Sequence, residues 1–235
     1  MKKALLFDIY GTMIDIRTDE HDPSVYEALS RHLAYLRVFV QPEELKNAFL
    51  QQVREALQRS KEAHPEVDVF RVFEDLLRHF GRKKPSEKTV LHVAVLFRSL
   101  TIRTFGPFPG ILEALPVLRK TYRMAIVSDA QWVFTEPEIR MLGLDRFFKV
   151  ILLSSRFGFK KPDPRLFHLA LDRLGVSPKD SVYIGDNPQK DLVGAKTAGM
   201  SFLLFRGEGK EVNGFRPDGV LRNYSELPDL LRKMQ

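Results

Sequence analysis

Residues 4–15 read ALLFDIYGTMID and contain the pattern that decides the predicted fold. An apolar run, residues 4–7, leads directly to Asp8, and Gly11-Thr12 follow as a turn. A short apolar run bounded by a turn is typical of a buried strand in a parallel sheet. Ligands of open α/β sheets bind at the carboxyl ends of the strands. Asp8 is therefore predicted to lie at such an edge, where a carboxylate suits nucleophilic attack or metal binding.

The rest of the chain divides into a helical region and a β/α region. From residue 23 to residue 103, apolar side chains recur at helical spacing, which predicts helices. From Gly106 onward, short apolar runs alternate with helical segments, and this alternation predicts a parallel sheet covered on both faces. The candidate strands after the first are residues 124–127, 150–153, 182–184 and 202–205.

The helical region follows the first strand, so it is predicted to be an insertion into the sheet domain. The predicted fold is α/β, with a Rossmann-like parallel sheet and helices on both of its faces. Residues 1–16 and 104–235 are assigned to this core domain, and residues 17–103 to an inserted helical bundle.

Composition restricts the class of protein. The chain has 235 residues, 44% of them hydrophobic and 29% charged, which is typical of a globular protein. The apolar runs are short and no cleavage site follows an N-terminal apolar segment, so we expect a cytoplasmic protein without a membrane partner. The absence of Cys excludes disulfides and thiolate zinc sites. The basic residues, which give a net charge of +7, are interleaved with acidic residues along the chain. This pattern favours a solvated basic surface over nucleic-acid binding.

Polar residues follow four of the predicted strands. Asp8 follows the first, Ser128-Asp129 the second, and Lys160-Lys161 the third. The strand at residues 182–184 is followed by Gly185-Asp186-Asn187 and then by Asp191. Because parallel strands end on one side of a sheet, we expect these residues to converge at a single edge.

Such a group of residues suits phosphoryl transfer. Asp8 and Asp186 can share Mg²⁺, which prefers oxygen ligands. Lys161 and the metal would neutralise a phosphoryl group while the Asp8 carboxylate attacks it. Ser128 and the backbone N–H groups of the turn at residues 9–11 can donate hydrogen bonds to the phosphoryl oxygens. Water would then hydrolyse the aspartyl intermediate.

These four segments resemble, in order and across the whole chain, the four motifs of the haloacid dehalogenase superfamily of hydrolases. The helical insertion resembles the cap of that superfamily, which closes over the active site and selects the substrate. The resemblance implies that Asp8 is the nucleophile, Ser128 the hydroxyl of the second motif and Lys161 the lysine of the third. Lys160 is a weaker candidate for the lysine.

The resemblance also implies the metal site and its surroundings. Asp186 and the backbone carbonyl of Tyr10 are expected to bind the metal together with Asp8, and Asp191 is expected to support these ligands without binding the metal itself. The residues expected to contact the phosphate are Tyr10, Gly11, Thr12, Asp129 and Asn187.

Tyr10 leaves more than one function open. Phosphatases of the superfamily usually have Asp at this position, which protonates the leaving group and then activates water, whereas its haloacid dehalogenases have Tyr. Asp186 favours a phosphatase instead, because the dehalogenases need no metal and usually have Ser at the position of Asp186. Without a cation, carboxylates at both Asp8 and Asp186 would repel each other.

The predicted function is therefore a Mg²⁺-dependent phosphatase acting on a small anionic metabolite, a phosphate monoester, as a monomer or homodimer. The first alternative is a metal-independent 2-haloacid dehalogenase in which Asp8 displaces halide. The second alternative is a non-catalytic protein of the same fold that senses phosphate or binds a partner.

Overall fold

The computed structural model describes residues 2–234 and contains a large parallel sheet and a small antiparallel one. The large sheet has the strand order β5-β4-β1-β6-β7-β8, and all its neighbouring strands are parallel. This arrangement confirms the predicted α/β class. The strands are β1 (Ala4–Phe7), β2 (Ile14–Thr18), β3 (Ile102–Pro107), β4 (Arg123–Ser128), β5 (Val150–Leu153), β6 (Ser181–Gly185), β7 (Ser201–Phe205) and β8 (Gly219–Leu221).

Strand β1 is apolar throughout because helices cover both faces of the sheet. Its side chains alternate, so that Leu5 and Phe7 enter one hydrophobic cluster while Ala4 and Leu6 enter another. The first cluster receives side chains from α5 (Ile111–Leu118), α6 (Trp132–Met141) and α9 (Leu227–Lys233). The second receives them from α7 (Arg165–Leu174) and α8 (Val193–Thr197).

Four helices lie between β2 and β3, and we call them the cap helices. They are α1 (Pro23–Tyr35), α2 (Pro42–Arg59), α3 (Val69–Gly81) and α4 (Glu87–Thr101). Three of them begin with a side chain that accepts a backbone N–H of the first turn: Asp22, Asp68 and Ser86. None of the helices within residues 2–234 combines the length and the apolar character needed to span a bilayer.

The antiparallel pair β2–β3 joins the cap helices to the large sheet. The sequence did not predict this ribbon as a separate element. The predicted domain boundaries, after residue 16 and before residue 104, fall inside β2 and β3 respectively. The division of the chain at those positions stays a prediction.

The cap helices share a hydrophobic cluster with α6 of the core. Phe49, Phe73 and Phe97 pack with their ring centres 5.0–5.4 Å apart, and Val133 and Phe134 of α6 belong to the same cluster. Burial of this shared apolar surface is the main physical reason for the position of the cap helices over the sheet edge.

Hydrogen bonds from the segment between α2 and α3 form a second junction with the core. Glu66 accepts a hydrogen bond from Ser154 Oγ at 2.8 Å, and its backbone N–H donates to Gly158 O at 3.0 Å. Trp132 Nε1 donates to Asp68 Oδ1 at 3.1 Å. These bonds hold the cap helices against the loops that carry the polar strand-end residues.

Candidate active site

The carboxyl ends of the central strands bring the predicted site residues to one edge of the sheet. Asp8 follows β1, Ser128 ends β4, and Asp186 follows β6. Lys161 lies in the loop after β5, and its Nζ is 2.9 Å from Asp8 Oδ1 and 2.6 Å from Asp191 Oδ1. The parallel topology thus places the ammonium between two carboxylates, beneath the cap helices.

Lys161 is buried and held by several partners. Its Nζ donates a hydrogen bond to Tyr183 Oη at 3.0 Å, and its backbone N–H donates to Asp129 Oδ1 at 2.8 Å. Burial lowers the pKa of Lys161, but the carboxylates of Asp191 and Asp8 outweigh burial and hold that pKa well above its ordinary value. Lys161 is therefore an ammonium at neutral pH, which suits the neutralisation of a phosphoryl oxygen.

Lys160, the weaker candidate, has a different position. Its backbone N–H donates to His64 O at 2.9 Å, and its side chain lines the cleft beneath the cap helices. Within the described residues, it is Lys161 rather than Lys160 that pairs with Asp8.

Three carboxylates cluster around the single ammonium. Oxygen atoms of Asp8, Asp186 and Asp191 lie within 4.8 Å of one another. Both oxygens of Asp191 already have protein partners, because Oδ1 pairs with Lys161 and Oδ2 accepts the Asn187 N–H at 3.0 Å. Burial raises the pKa of Asp191, and the ammonium of Lys161 opposes that shift. Asp191 thus positions Lys161 and the loop after β6.

Asp8 and Asp186 have the features of a divalent cation site. Asp8 Oδ1 is buried and receives no well-aligned hydrogen bond from residues 2–234, although the Lys161 ammonium is near. Burial raises the pKa of Asp186, and the negative charge of Asp8 raises it further. Three carboxylates facing one ammonium leave an excess of negative charge, so the residues present fit a divalent cation with oxygen ligands.

The turn after Asp8 requires glycine. Gly11 has a φ of 78°, and a Cβ at this position would collide with the Asp186 carboxylate. Thr12 Oγ1 donates a hydrogen bond to Asp186 Oδ1 at 3.1 Å. The N–H groups of Gly11 and Thr12 donate to Ile14 O and Ile9 O. These two residues hold the turn and Asp186, and their contact with phosphate stays a prediction.

Asp129 and Asn187 connect the loops around the site. Asp129 Oδ1 accepts the Lys161 backbone N–H, and Oδ2 lies 3.2 Å from Lys190 Nζ. Asn187 Oδ1 accepts the Lys190 backbone N–H at 3.1 Å, at the start of the short helical turn Pro188–Leu192. Their side-chain oxygens are thus used within the protein, and a role in phosphate binding stays a prediction for both.

Tyr10 turns its hydroxyl toward α6. The Tyr10 hydroxyl lies 2.8 Å from Thr135 Oγ1 and donates to Glu138 Oε2. Arg98 of α4 pairs with Glu138, with 2.6 Å between Nε and Oε1, and its guanidinium lies 5.5 Å from the centre of the Tyr10 ring. Burial raises the pKa of Tyr10, and the Glu138 carboxylate raises it further. We call Tyr10, Thr135, Glu138 and Arg98 the tyrosine cluster.

The sequence analysis did not identify Glu138 or Arg98. The available signal was weak: in α6 one charged residue, Glu138, lies on the same helix face as the buried residues Thr135 and Ile139, but no helix was predicted there from the sequence. Arg98 comes from a cap helix 40 positions away, and no local pattern connects the two residues.

A cleft of about 450 Å³ lies between the cap helices and the strand ends. Lys160, Lys190 and Asp129 line it, and Asp129 accepts the Lys161 backbone N–H. Aromatic side chains line it as well: the rings of Phe49 and Phe134 both contact Phe97, and Arg98 lies over the rings of Phe134 and Tyr10. Its volume is within the range of small-molecule sites, ~300–1,000 Å³.

Known proteins resemble the chain, one of them over most of its length and another over about a third of it. A protein of Methanopyrus kandleri named glyceraldehyde 3-phosphate phosphatase is 29% identical over 232 residues, which cover 97% of this chain and 92% of that protein. A protein of Thermus thermophilus named phosphoserine phosphatase is 50% identical over 82 residues, which cover 35% of this chain and 33% of that protein.

Solved structures share the architecture. The 2-haloacid dehalogenase of Pseudomonas syringae pv. Tomato DC3000 has a TM-score of 0.69 at 23% identity, with both chains fully covered, and this likeness shows the fold alone. A HAD phosphatase of Thermococcus onnurineus has a TM-score of 0.60 at 25% identity, with 97% of each chain covered. Residues 2–199 match the sequence profile of the haloacid dehalogenase-like hydrolases. Since this match covers most of the chain, the protein belongs to that family.

Proposed function

We propose that the chain is a Mg²⁺-dependent phosphatase that hydrolyses a small anionic phosphate monoester through an aspartyl phosphate on Asp8. The observation that carries this proposal is the pair of carboxylates, buried Asp8 and half-buried Asp186, beside the Lys161 ammonium. The relatives named as phosphatases support it. Cytoplasmic location and a monomeric or homodimeric state belong to the same proposal.

In the proposed reaction, an Asp8 oxygen attacks phosphorus and the bond between phosphorus and the ester oxygen breaks. Water then adds to the aspartyl phosphate, so that inorganic phosphate leaves and the Asp8 carboxylate is restored. Lys161 neutralises a phosphoryl oxygen throughout, and Ser128 donates a hydrogen bond to another. Asp8, Asp186 and the carbonyl of Tyr10 would hold Mg²⁺, which supplies charge neutralisation and orientation of the phosphoryl group.

A 2-haloacid dehalogenase is the second candidate, and Tyr10 is the residue that favours it. Halide leaves without a proton, so a tyrosine here would not impair that reaction. The Asp186 carboxylate opposes it, because a second negative charge beside Asp8 disfavours the approach of an anionic haloacid.

A paired turnover assay tests the proposal. Phosphate release from phosphomonoesters is followed with Mg²⁺ and with EDTA, and halide release from 2-chloropropionate is followed in parallel. Phosphate release that EDTA abolishes and Mg²⁺ restores is the expected result. Halide release in EDTA would replace the phosphatase with the dehalogenase. If neither product forms in multiple turnovers, the protein is the non-catalytic alternative.

A further inference from the structure

The tyrosine cluster and the apolar side chains of the cleft point to the class of leaving group. We infer that the enzyme removes phosphate from an acidic, largely apolar leaving group, a phenol, an enol or a carboxylic acid, which departs as an anion without receiving a proton. This inference rests on the proposed phosphatase function and specifies its substrate class.

The Tyr10 hydroxyl is unsuited to protonate a leaving group. Its proton is directed at Glu138, and the same oxygen contacts Thr135 Oγ1. Arg98 keeps Glu138 in place with hydrogen bonds from Nε and Nη2. Rotating the hydroxyl toward the cleft would break its hydrogen bond to the buried Glu138 carboxylate and leave Oε2 with only the 3.4 Å contact from Arg98 Nη2, which is unfavourable for a buried charged acceptor.

The other acids that line the cleft are Glu66, Asp129 and Glu20. Glu66 accepts hydrogen bonds from Ser154 Oγ and Gln131 Nε2. Asp129 accepts the backbone N–H of Lys161 and forms an ion pair with Lys190. Glu20 differs from these two, since its carboxylate forms no hydrogen bond or ion pair with the described part of the chain. Glu20 is therefore the one acid of the cleft that the experiment has to exclude.

One group of side chains that lines the cleft is apolar. Phe49, Leu50 and Val53 come from α2, Phe97 from α4 and Phe134 from α6, and the rings of Phe49 and Phe134 both contact Phe97. Burial against such a group of side chains favours an apolar leaving group. The same cleft is lined by Lys160 and Lys190, so it matches a molecule with a phosphate and an apolar body.

The reaction balances without an acid. The Asp8 oxygen forms a bond to phosphorus while the bond from phosphorus to the leaving oxygen breaks, and its electron pair stays on that oxygen as a phenolate, enolate or carboxylate. An alkoxide is a far poorer leaving group, so alkyl phosphates need the proton that Tyr10 withholds.

A series of phosphates with leaving groups of similar size tests the inference. We compare kcat/KM for 4-nitrophenyl, phenyl and benzyl phosphate with Mg²⁺ present. We expect benzyl phosphate to be hydrolysed ~10²–10⁴-fold less efficiently than 4-nitrophenyl phosphate, which is the range that general acid catalysis contributes. Equal efficiency for the three would overturn the inference and leave the phosphatase intact. Absence of phosphate from all three, and from acetyl phosphate, would instead overturn the phosphatase.

Two variants identify the responsible residues. Tyr10→Asp introduces a carboxylate, and we expect it to raise the efficiency for benzyl phosphate relative to 4-nitrophenyl phosphate. Glu20→Gln is the matched control at the remaining acid of the cleft, and it is expected to leave the ratio of the two substrates unchanged. A selective loss of benzyl phosphate hydrolysis in Glu20→Gln would show that Glu20 acts as the acid, and would contradict the inference. If Tyr10→Asp does not fold, the substrate series and the Glu20→Gln variant still test the inference.

Discussion

The phosphoryl end and the leaving-group end of the proposed site are built in different ways. At the phosphoryl end, Asp8 and Asp186 follow strands of the core and Lys161 lies in the loop after β5, and they are fixed by ion pairs and by the turn at Gly11. At the leaving-group end, Tyr10 is fixed by Glu138 of α6 and Arg98 of a cap helix. The first end depends mainly on the sheet and its loops, and the second depends on how the cap helices pack on the core.

Because of this difference, we expect the phosphoryl end to determine the rate of phosphoryl transfer and the leaving-group end to determine which substrates are preferred. Substitutions at the phosphoryl end are expected to reduce turnover of every substrate by similar factors. Substitutions at the leaving-group end are expected to change the ratio between substrates. The following predictions test this separation.

The largest effect is expected for Asp8→Asn. Loss of the nucleophile is expected to reduce kcat on the order of 10⁴–10⁶-fold for aryl and acyl phosphates alike. Initial rates for 4-nitrophenyl phosphate and acetyl phosphate provide the measurement, and thermal unfolding checks that the variant is folded. Residual activity that depends on the leaving group would show that the two ends are not independent.

Lys161→Met is expected to destabilise the protein by about 3–5 kcal/mol, because it leaves the carboxylates of Asp191 and Asp8 buried without a counter-ion. Urea denaturation at neutral pH measures the free energy of unfolding. The matched control is the double variant Lys161→Met/Asp191→Asn, which should recover part of the loss. A stability equal to that of the original protein would show that the buried ion pair is not needed.

Asp186→Asn is expected to remove the stabilisation by Mg²⁺. A bound cation at 100 times its Kd stabilises the folded state by about 2.7 kcal/mol, so Mg²⁺ should raise the Tm of the original protein. In Asp186→Asn the repulsion with Asp8 is relieved and a metal ligand is lost. We therefore expect an unchanged or higher Tm in EDTA and no shift on adding Mg²⁺. An equal Mg²⁺ shift in both proteins would place the metal elsewhere.

Tyr10→Phe is expected to destabilise the protein by about 1.5–3 kcal/mol, because it removes a hydrogen bond to the Glu138 carboxylate. Burial raises the pKa of Tyr10 and the Glu138 carboxylate raises it further, so the phenol keeps its proton from acidic pH through neutral pH and is expected to contribute no ionisation to the rate in that range. The pH profile for 4-nitrophenyl phosphate should therefore be the same in the variant. A limb that disappears from the profile would show that Tyr10 titrates during turnover.

Leu50→Ala is expected to have the smallest effect, about a tenfold loss of kcat/KM for 4-nitrophenyl phosphate, because part of the apolar wall is removed. Acetyl phosphate, whose leaving group is too small to reach that wall, should be unaffected. Equal losses for the two substrates would mean that Leu50 supports the fold of the cleft rather than selection.

The phosphoryl end was accessible to sequence analysis because a general rule links position to function. Asp8, Ser128 and Asp186 each follow an apolar run, and parallel strands bring their carboxyl ends together. The rule needs only the order of strands and helices, which local patterns of apolar residues reveal.

Sequence analysis did not identify the contacts of the leaving-group end, and the reason is physical. The contact between Arg98 and Glu138 depends on the packing of α4 against α6, which no local pattern encodes. The β2–β3 ribbon was also missed, because its two short strands are separated by the whole helical region. At the end of α3, the left-handed residue is Arg82 rather than Gly81, although glycine is the usual residue in that conformation.

Trp132 makes the junction between the cap helices and the core observable by fluorescence. It is the single tryptophan of the chain. Its indole donates a hydrogen bond to Asp68, at the start of α3, and its ring centre lies 5.3 Å from that of Phe70. The Arg156 guanidinium lies 4.1 Å from the centre of the indole ring. Separation of the cap helices from the core would remove two of these neighbours and expose the indole to water. The intrinsic fluorescence of the unlabelled protein would thus report a separation of the cap helices from the core, and stopped-flow mixing with substrate would test whether turnover involves one.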